Sequence, residues 1–113
     1  REVARVLRPG GTFVLCTPYR ERIETTLCIH CNHKTPVNAH LHSFNERILT
    51  GLLADAGVTV DRLDPFLSRP AERFGLSGLT VKLPFPLWRA ADALACRMAG
   101  RECYIAVRAV RNA

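Results

Sequence analysis

The chain has 113 residues, which suits one compact domain, and its formal charge of +6 comes from 16 Lys and Arg residues against 10 Asp and Glu residues. It contains no apolar run of membrane-spanning length and no leading signal-peptide pattern, so we expect a cytoplasmic protein without a membrane partner. The basic residues are mostly scattered arginines without interleaved aromatics, which disfavours a nucleic-acid partner.

The first predicted elements are a helix, a tight turn and a strand. Residues 1–7 place three aliphatic side chains on one helical face. Pro9, Gly10 and Gly11 then end the helix in a turn. The short apolar run "TFVLC" at residues 12–16 predicts a strand buried on both faces, as in a parallel sheet covered by helices.

The clearest helix signal comes next. Ser43 and Glu46 have the spacing of a capping box, in which each side chain bonds a backbone amide at the start of a helix. An apolar stripe follows, and Gly57 stands where the helix should end.

The remaining segments continue the alternation of helix and strand. Residues 58–63 alternate apolar and polar and predict a strand, whereas residues 65–86 are rich in proline and irregular. Residues 87–99 predict an amphipathic helix closed by Gly100, and residues 103–110 predict a last strand. The order helix-strand-loop-helix-strand-helix-strand favours an α/β layered sheet.

The predicted sheet has too few strands to keep its apolar first strand away from an exposed edge. A strand buried on both faces belongs in the middle of a sheet, yet only two other strands are predicted. An apolar strand at an exposed edge promotes association, which complete proteins avoid. We therefore expect further strands to precede Arg1 in a longer protein.

Three stretches resemble class I S-adenosylmethionine-dependent methyltransferases. The family's late motif, a helix that ends in a leucine-x-proline-glycine-glycine turn before the fifth strand, is similar to "REVARVLRPGGTFVLCTP". The family's His-containing lead-in, capped helix and alanine-glycine turn into the sixth strand are similar to "HLHSFNERILTGLLADAGVTV". Its seventh, antiparallel strand, which pairs back into the sheet, is similar to "CYIAVRAV".

The resemblance implies an incomplete fold. Residues 1–113 would be the C-terminal part of a single methyltransferase domain, with a Rossmann-like seven-stranded sheet whose N-terminal strands are missing. They would include a Cys/His-rich insert at about 20–42 and a variable segment at 65–100. The implied partner is the missing N-terminal half, and we expect the 113 residues alone to be inactive.

The resemblance also implies S-adenosylmethionine as the cofactor of the full-length protein. In the family, a glycine-rich loop after the first strand holds the methionine part of the cofactor, and an acidic residue ending the second strand holds its ribose. Neither is found in this sequence, because Gly10 and Gly11 follow a helix and precede a strand, and a nucleotide-binding loop needs the opposite order. We therefore predict no cofactor-binding residue in this chain.

The position of a substrate site follows from topology. In open α/β sheets, ligands bind beyond the carboxyl ends of the strands. The strand at 12–16 ends shortly before Tyr19, and the loop that leaves from there carries His40 and His42. We predict that Tyr19, His40 and His42 contact a small-molecule methyl acceptor, and the acceptor atom and any catalytic base stay open.

A metal site is the second chemical prediction. The stretch "CIHCNHKTPVNAHLH" contains two of the five cysteines and all four histidines. Cys28 and Cys31 have the spacing of a zinc knuckle, and His40 with one of His33 or His42 would complete a structural zinc site. Free thiols without metal and a disulfide or redox pair stay open as alternatives. The other three cysteines lie in apolar or helical stretches and are predicted to be buried.

Three classes of function compete at this point. A methyltransferase accounts for the proline-glycine-glycine turn, the apolar strand and the last strand together. A non-catalytic, zinc-stapled interaction module accounts only for residues 28–42, and a basic nucleic-acid binder accounts only for the charge. The sequence therefore favours the methyltransferase and keeps the interaction module as the alternative.

Overall fold

The structure, a computed structural model, describes residues 2–75, 78 and 82–113. This part of the chain combines helices and strands, as predicted, but the pairs between its named strands are all antiparallel. In chain order the elements are α1 (Glu2–Val6), β1 (Thr12–Pro18), β2 (Thr25–Leu27), β3 (Lys34–Pro36), α2 (Glu46–Ala54), β4 (Val58–Ser68), α3 (Arg69–Arg73), α4 (Phe85–Ala99) and β5 (Glu102–Arg111).

The main sheet has three strands in the order β1-β5-β4. β5 is antiparallel to both neighbours, with a register that pairs Thr12 with Val110 on one side and Val58 with Arg111 on the other. Since both outer strands are antiparallel to β5, β1 and β4 point in the same direction. Their carboxyl ends therefore lie at the same edge of the sheet.

Helices cover parts of both faces of the sheet. Leu49 of α2 packs with Ile105 and Val107 of β5 in the core. Adjacent residues of a strand point to opposite sides, so Tyr104, next to Ile105, faces away from this core. On that face its ring stacks with Phe66. Trp88 of α4 meets the same Phe66 ring edge-on, with centroids 6.5 Å apart.

The predicted burial of the first strand on both faces is wrong. β1 alternates between exposed and partly buried residues; Leu15 packs on the core, whereas Val14 is 67% exposed. Cys16 was predicted to be buried but is exposed, as Val14 is. Cys96 and Cys103 are buried as predicted. The reason is position: β1 is an edge strand of the described sheet, and only its core-facing side is packed.

The predicted capping box of α2 is also wrong. The residue that caps the helix is Asn45, whose side-chain oxygen accepts a hydrogen bond of 2.9 Å from the amide of Ile48. Ser43 lies outside the helix, and the carboxylate of Glu46 points to other partners. α2 ends at Ala54 with Asp55 as its C-cap, and Gly57, predicted to end it, adopts a positive φ of 76° in the turn that leads into β4.

Residues 65–86 were predicted to be irregular, but the start of this segment has regular secondary structure. β4 continues to Ser68 and α3 follows at once; residues 76, 77 and 79–81 of this segment lie outside the described residues. α4 ends at Gly100 as predicted, with a left-handed φ of 60°. Its buried face is centred on Asp92 and Cys96.

Membrane insertion through a helix can be checked from length and composition. Within residues 2–75, 78 and 82–113, no helix combines the length and the apolar character needed to cross a membrane.

Candidate functional site

A cleft of about 810 Å³ opens at the edge where β1 and β4 end. Pro18 at the end of β1 forms one part of its wall, and α3, which directly follows β4, forms another. The start of β5, including Tyr104, lies between them because β5 runs in the opposite direction. The cleft therefore occupies the position beyond the strand ends where open α/β sheets bind their ligands.

A smaller cavity of about 320 Å³ adjoins this cleft. His42 and Phe44 line it, with their rings tilted and their centroids 6.1 Å apart. Pro18, Glu21 and His40 line both the cleft and the smaller cavity. The loop after β1 and the loop before α2 thus meet on the wall between the two spaces.

His40 is oriented by a carboxylate on that wall. Its Nδ1 lies 2.6 Å from Oε2 of Glu21, and the two side chains are 45% and 23% exposed. With the proton on Nδ1 donated to Glu21, Nε2 is the ring nitrogen left to accept a hydrogen bond from a ligand. The sequence predicted His40 but missed Glu21, because the two residues are 19 positions apart and no local spacing connects them.

The structure gives Tyr19 a supporting position. Tyr19 is 4% exposed and belongs to the core cluster, and its hydroxyl donates a hydrogen bond to the carboxylate of Glu46. Burial, and secondly this hydrogen bond, raise the pKa of Tyr19 to about 12. The same hydrogen bond lowers the pKa of Glu46. Tyr19 lines neither of the two cavities described above.

Backbone contacts around Tyr19 join three elements. The amide of Tyr19 donates to the carbonyl of Cys103 at 2.8 Å, and the amide of Arg20 donates to the carbonyl of Phe44 at 2.8 Å. The guanidinium of Arg20 lies over the Tyr19 ring, 4.9 Å from its centroid, and contacts Glu46 at 3.2 Å. This network holds the end of β1, the start of β5 and the start of α2 together beneath His40 and His42.

The two cysteines of the predicted metal site lie on one hairpin. β2 and β3 pair antiparallel, and the connecting loop is closed by a hydrogen bond of 2.9 Å from the amide of Cys28 to the carbonyl of His33. Backbone amides of His30 and Cys31 hydrogen-bond the sulfur of Cys28, and with the Cys31 side chain they lower its pKa. A thiolate is the form of cysteine that binds metal or reacts as a nucleophile.

The structure does not gather the four predicted metal ligands. Among the described residues, no three side chains of His, Cys, Asp or Glu lie together as a group that could hold a metal ion. Cys28 and Cys31 are neighbours, but His40 is engaged with Glu21 on the wall of the cleft. Zinc binding therefore stays a prediction. Of the four predicted ligands, the structure brings Cys28 and Cys31 together.

The positions of the glycines show whether the described residues include a loop of the kind that would bind the implied cofactor. Gly100 caps α4 with a positive φ, Gly57 has a positive φ in the turn between α2 and β4, and Gly10 has a φ of 73° in the turn between α1 and β1. A nucleotide-binding loop would follow a strand and open a helix. None of the positive-φ glycines in the described part of the chain has that placement, so these residues do not fit the methionine and ribose of S-adenosylmethionine.

Comparison with known proteins adds no relative: no family model, no curated protein and no solved structure matches the chain.

Proposed function

We propose that this chain is the C-terminal part of a class I S-adenosylmethionine-dependent methyltransferase and that its cleft forms part of the site for a small-molecule methyl acceptor. The observation that carries the proposal is topological. β1 and β4 point the same way, β5 runs antiparallel between them, and the cleft opens at their carboxyl ends. The family has a seventh, antiparallel strand that pairs back into the sheet, and β5 is the matching element.

The position of the proline-glycine-glycine turn supports the same assignment. The turn connects α1 to β1, and it is held against the last strand by hydrogen bonds of 3.0 Å from the Gly10 amide to the Arg111 carbonyl and from the Arg111 amide to the Gly11 carbonyl. The first and last motifs of the resemblance are therefore neighbours in space. Two motifs about a hundred residues apart therefore meet, as expected if the seventh strand pairs back into the sheet beside the fifth.

The open edge of β1 supports a longer enzyme. In the sheet of the described residues, β5 pairs with one edge of β1 and no strand pairs with the other; in addition, the side chain of Val14 is 67% exposed on one face of β1. A free edge of this kind readily takes another strand. We propose that the N-terminal half of the domain pairs here and supplies the cofactor loop, so that the 113 residues alone are inactive.

The test compares the complete gene product with the 113-residue chain. We expect isothermal titration to show binding of S-adenosylmethionine by the complete product and no micromolar binding by the chain, because the described residues hold no suitable loop. ATP at the same concentration serves as the control ligand. Micromolar binding by the 113 residues, or no cofactor binding by the complete product, would contradict the proposal.

A second candidate is the zinc-stapled interaction module, and one observation favours it. Two backbone amides lower the pKa of Cys28, which lies beside Cys31 in the turn of a hairpin, so that one of the two predicted cysteine ligands is favoured as a thiolate. Native mass spectrometry of the complete product should then show one zinc ion that is lost in Cys28→Ser and kept in Cys16→Ser, a control on an exposed thiol. A metal-free wild type would exclude this candidate.

The absence of disulfide bonds between the five cysteines is relevant to the cellular compartment of the protein. All five cysteines are unpaired in the structure, which fits a reducing environment. We therefore propose the cytoplasm as the location.

A further inference from the structure

We infer that the large cleft binds the anionic group of a small molecule, a carboxylate or a phosphate, through the guanidinium groups of Arg69, Arg73 and Arg101. That this molecule is the methyl acceptor rests on the function proposed above; the anion binding itself does not. The three arginines line the cleft from two segments, α3 and the turn that leads into β5.

The backbone brings these arginines to one wall. The amide of Arg69 donates a hydrogen bond of 3.0 Å to the carbonyl of Arg101, so the start of α3 is joined to the start of β5. Arg73 follows Arg69 by four residues on the same helix, and side chains with this spacing lie on one helical face. The cleft therefore receives several positive charges from a short stretch of its wall.

None of these three arginines forms an ion pair within the described residues, although the side chain of Arg69 also contacts the thiol of Cys103. Within residues 2–75, 78 and 82–113, no carboxylate oxygen lies within 4.0 Å of the guanidinium nitrogens of Arg69, Arg73 or Arg101. The arginines that do form ion pairs lie elsewhere: Arg5, Arg20, Arg62, Arg89 and Arg108. Guanidinium groups that line a cleft offer hydrogen-bond donors to the oxygens of a carboxylate or a phosphate.

The acidic residues of the cleft argue for a small anion. Glu21 is paired with His40, and Glu72 hydrogen-bonds the thiol of Cys103, whose pKa burial and this contact raise to about 12. Glu24 is the third carboxylate on the walls. A nucleic-acid backbone crossing the cleft would pass all three carboxylates, whereas α3 itself carries only one of them, Glu72, which is engaged with the Cys103 thiol. We therefore favour a small molecule over a polyanion.

The experiment follows the arginine side-chain signals of the complete gene product by NMR. Inorganic phosphate and acetate are titrated separately at constant ionic strength, with sodium chloride as the reference salt because surface charges are screened by salt. We expect saturable shifts of the Nε–H signals of Arg69, Arg73 and Arg101, and the anion with the tighter binding identifies the preferred group.

Two sets of variants separate specific binding from general charge. Arg69→Gln/Arg73→Gln should weaken anion binding by about tenfold, because charge-assisted hydrogen bonds are lost. The control Arg47→Gln/Arg97→Gln removes the same charge from exposed positions outside the cleft and should leave the affinity within about twofold. Arg101→Gln, which changes no helix, serves as a second variant if the first pair does not fold.

The outcomes discriminate between the inferences. Absence of saturable shifts with both anions, or equal losses in the cleft and control variants, would overturn the anion site. Tighter binding of a single-stranded oligonucleotide, lost in the same variants, would replace it with a nucleic-acid interface. Anion binding without cofactor binding by the complete product would leave this inference standing and remove the methyltransferase, whereas methylation of neutral acceptors without anion binding would do the reverse.

Discussion

The hydroxyl of Tyr19 donates a hydrogen bond to the carboxylate of Glu46 and so ties the end of β1 to the first turn of α2. Both residues were predicted from the sequence in other roles, Tyr19 as a substrate contact and Glu46 as part of a capping box. Their contact places them under the cleft wall, where they fix the loops that carry His40 and Glu21. The geometry of the site therefore depends on a pair of residues that does not line it.

The first prediction concerns this pair. Tyr19→Phe should lower the free energy of unfolding of the complete gene product by about 1–2 kcal/mol, because a hydrogen bond to a charged carboxylate is lost. Urea unfolding measures the change. Tyr104→Phe is the matched control, since the Tyr104 ring stacks on Phe66 and its hydroxyl has no side-chain hydrogen bond within the described residues. Equal losses in both variants would show that the Tyr19 hydroxyl contributes nothing specific.

The second prediction separates the observed helix cap from the one expected from the sequence. Asn45→Ala should destabilise the protein by about 1 kcal/mol, because the Ile48 amide loses its acceptor. Ser43→Ala should have little effect, since Ser43 lies outside α2. Thermal or urea unfolding of the two variants compares them directly, and a larger loss in Ser43→Ala would favour the capping box instead.

Local signals predicted most of the elements, because they depend on neighbouring residues. The turn before β1 and Gly100 at the end of α4 lie where the sequence placed them, whereas α2 already ends at Ala54, before Gly57. Burial was less predictable. The aliphatic residues of α4 suggested its buried face, yet Leu94 and Met98 are 60% and 82% exposed, because the helix packs through the opposite face, where Asp92 and Cys96 are buried.

The candidate site was predictable in position and only partly in composition. Topology placed it beyond the end of the first strand, and His40 and His42 line its cavities. Its other members come from distant parts of the chain: Glu21 pairs with His40, and α3 contributes arginines from a segment read as irregular. No local spacing connects such residues, so only the folded chain brings them together.

The third prediction tests the inward turn of Asp92. This carboxylate is 8% exposed and accepts hydrogen bonds from the amides of Leu67 and Ser68 at 3.0 and 3.2 Å. Asp92→Ala should cost about 3 kcal/mol, because both amides lose their acceptor in a buried setting. Asp55→Ala, at an exposed aspartate, should cost close to nothing. Urea unfolding of both variants measures the difference, and similar values would contradict the assigned role.

The fourth prediction is a loss of stability in alkaline solution. Burial, first of all, raises the pKa of Tyr19 from 10.0 to about 12, that of Cys96 from 9.0 to about 11 and that of Cys103 from 9.0 to about 12. Each group is an acid whose protonated form is favoured by folding, so its contribution is complete below its unfolded pKa and is lost as the pH rises through its folded pKa. The window therefore runs from about pH 9 to 12.

The measurement is the urea midpoint as a function of pH. It should stay level between about pH 7 and 8.5 and fall above about pH 9, because the unfolded chain then releases protons that the folded chain retains. Cys103→Ala should make the alkaline decline shallower, since one of the three groups is removed. A midpoint that is constant up to about pH 11 would contradict the prediction.

The fifth prediction concerns the reactivity of the thiols. The backbone amides of His30 and Cys31 lower the pKa of Cys28 and so raise its thiolate fraction at neutral pH, whereas burial raises the pKa of Cys96 and Cys103. Iodoacetamide at pH 7, followed by peptide mapping, should therefore alkylate Cys28 fastest and the two buried thiols slowest. Cys16 is the internal reference, because it is exposed.

Unfolding provides the control for this order. In urea the backbone contacts are lost, and the rates of all five thiols should converge, since only the folded hairpin lowers the Cys28 pKa. If Cys16 reacted as fast as Cys28 in the folded protein, the hairpin would not activate the thiol. If a chelator were needed before Cys28 reacted, a bound metal would be protecting it, and the zinc-stapled candidate would gain support because metal coordination occupies the thiolate.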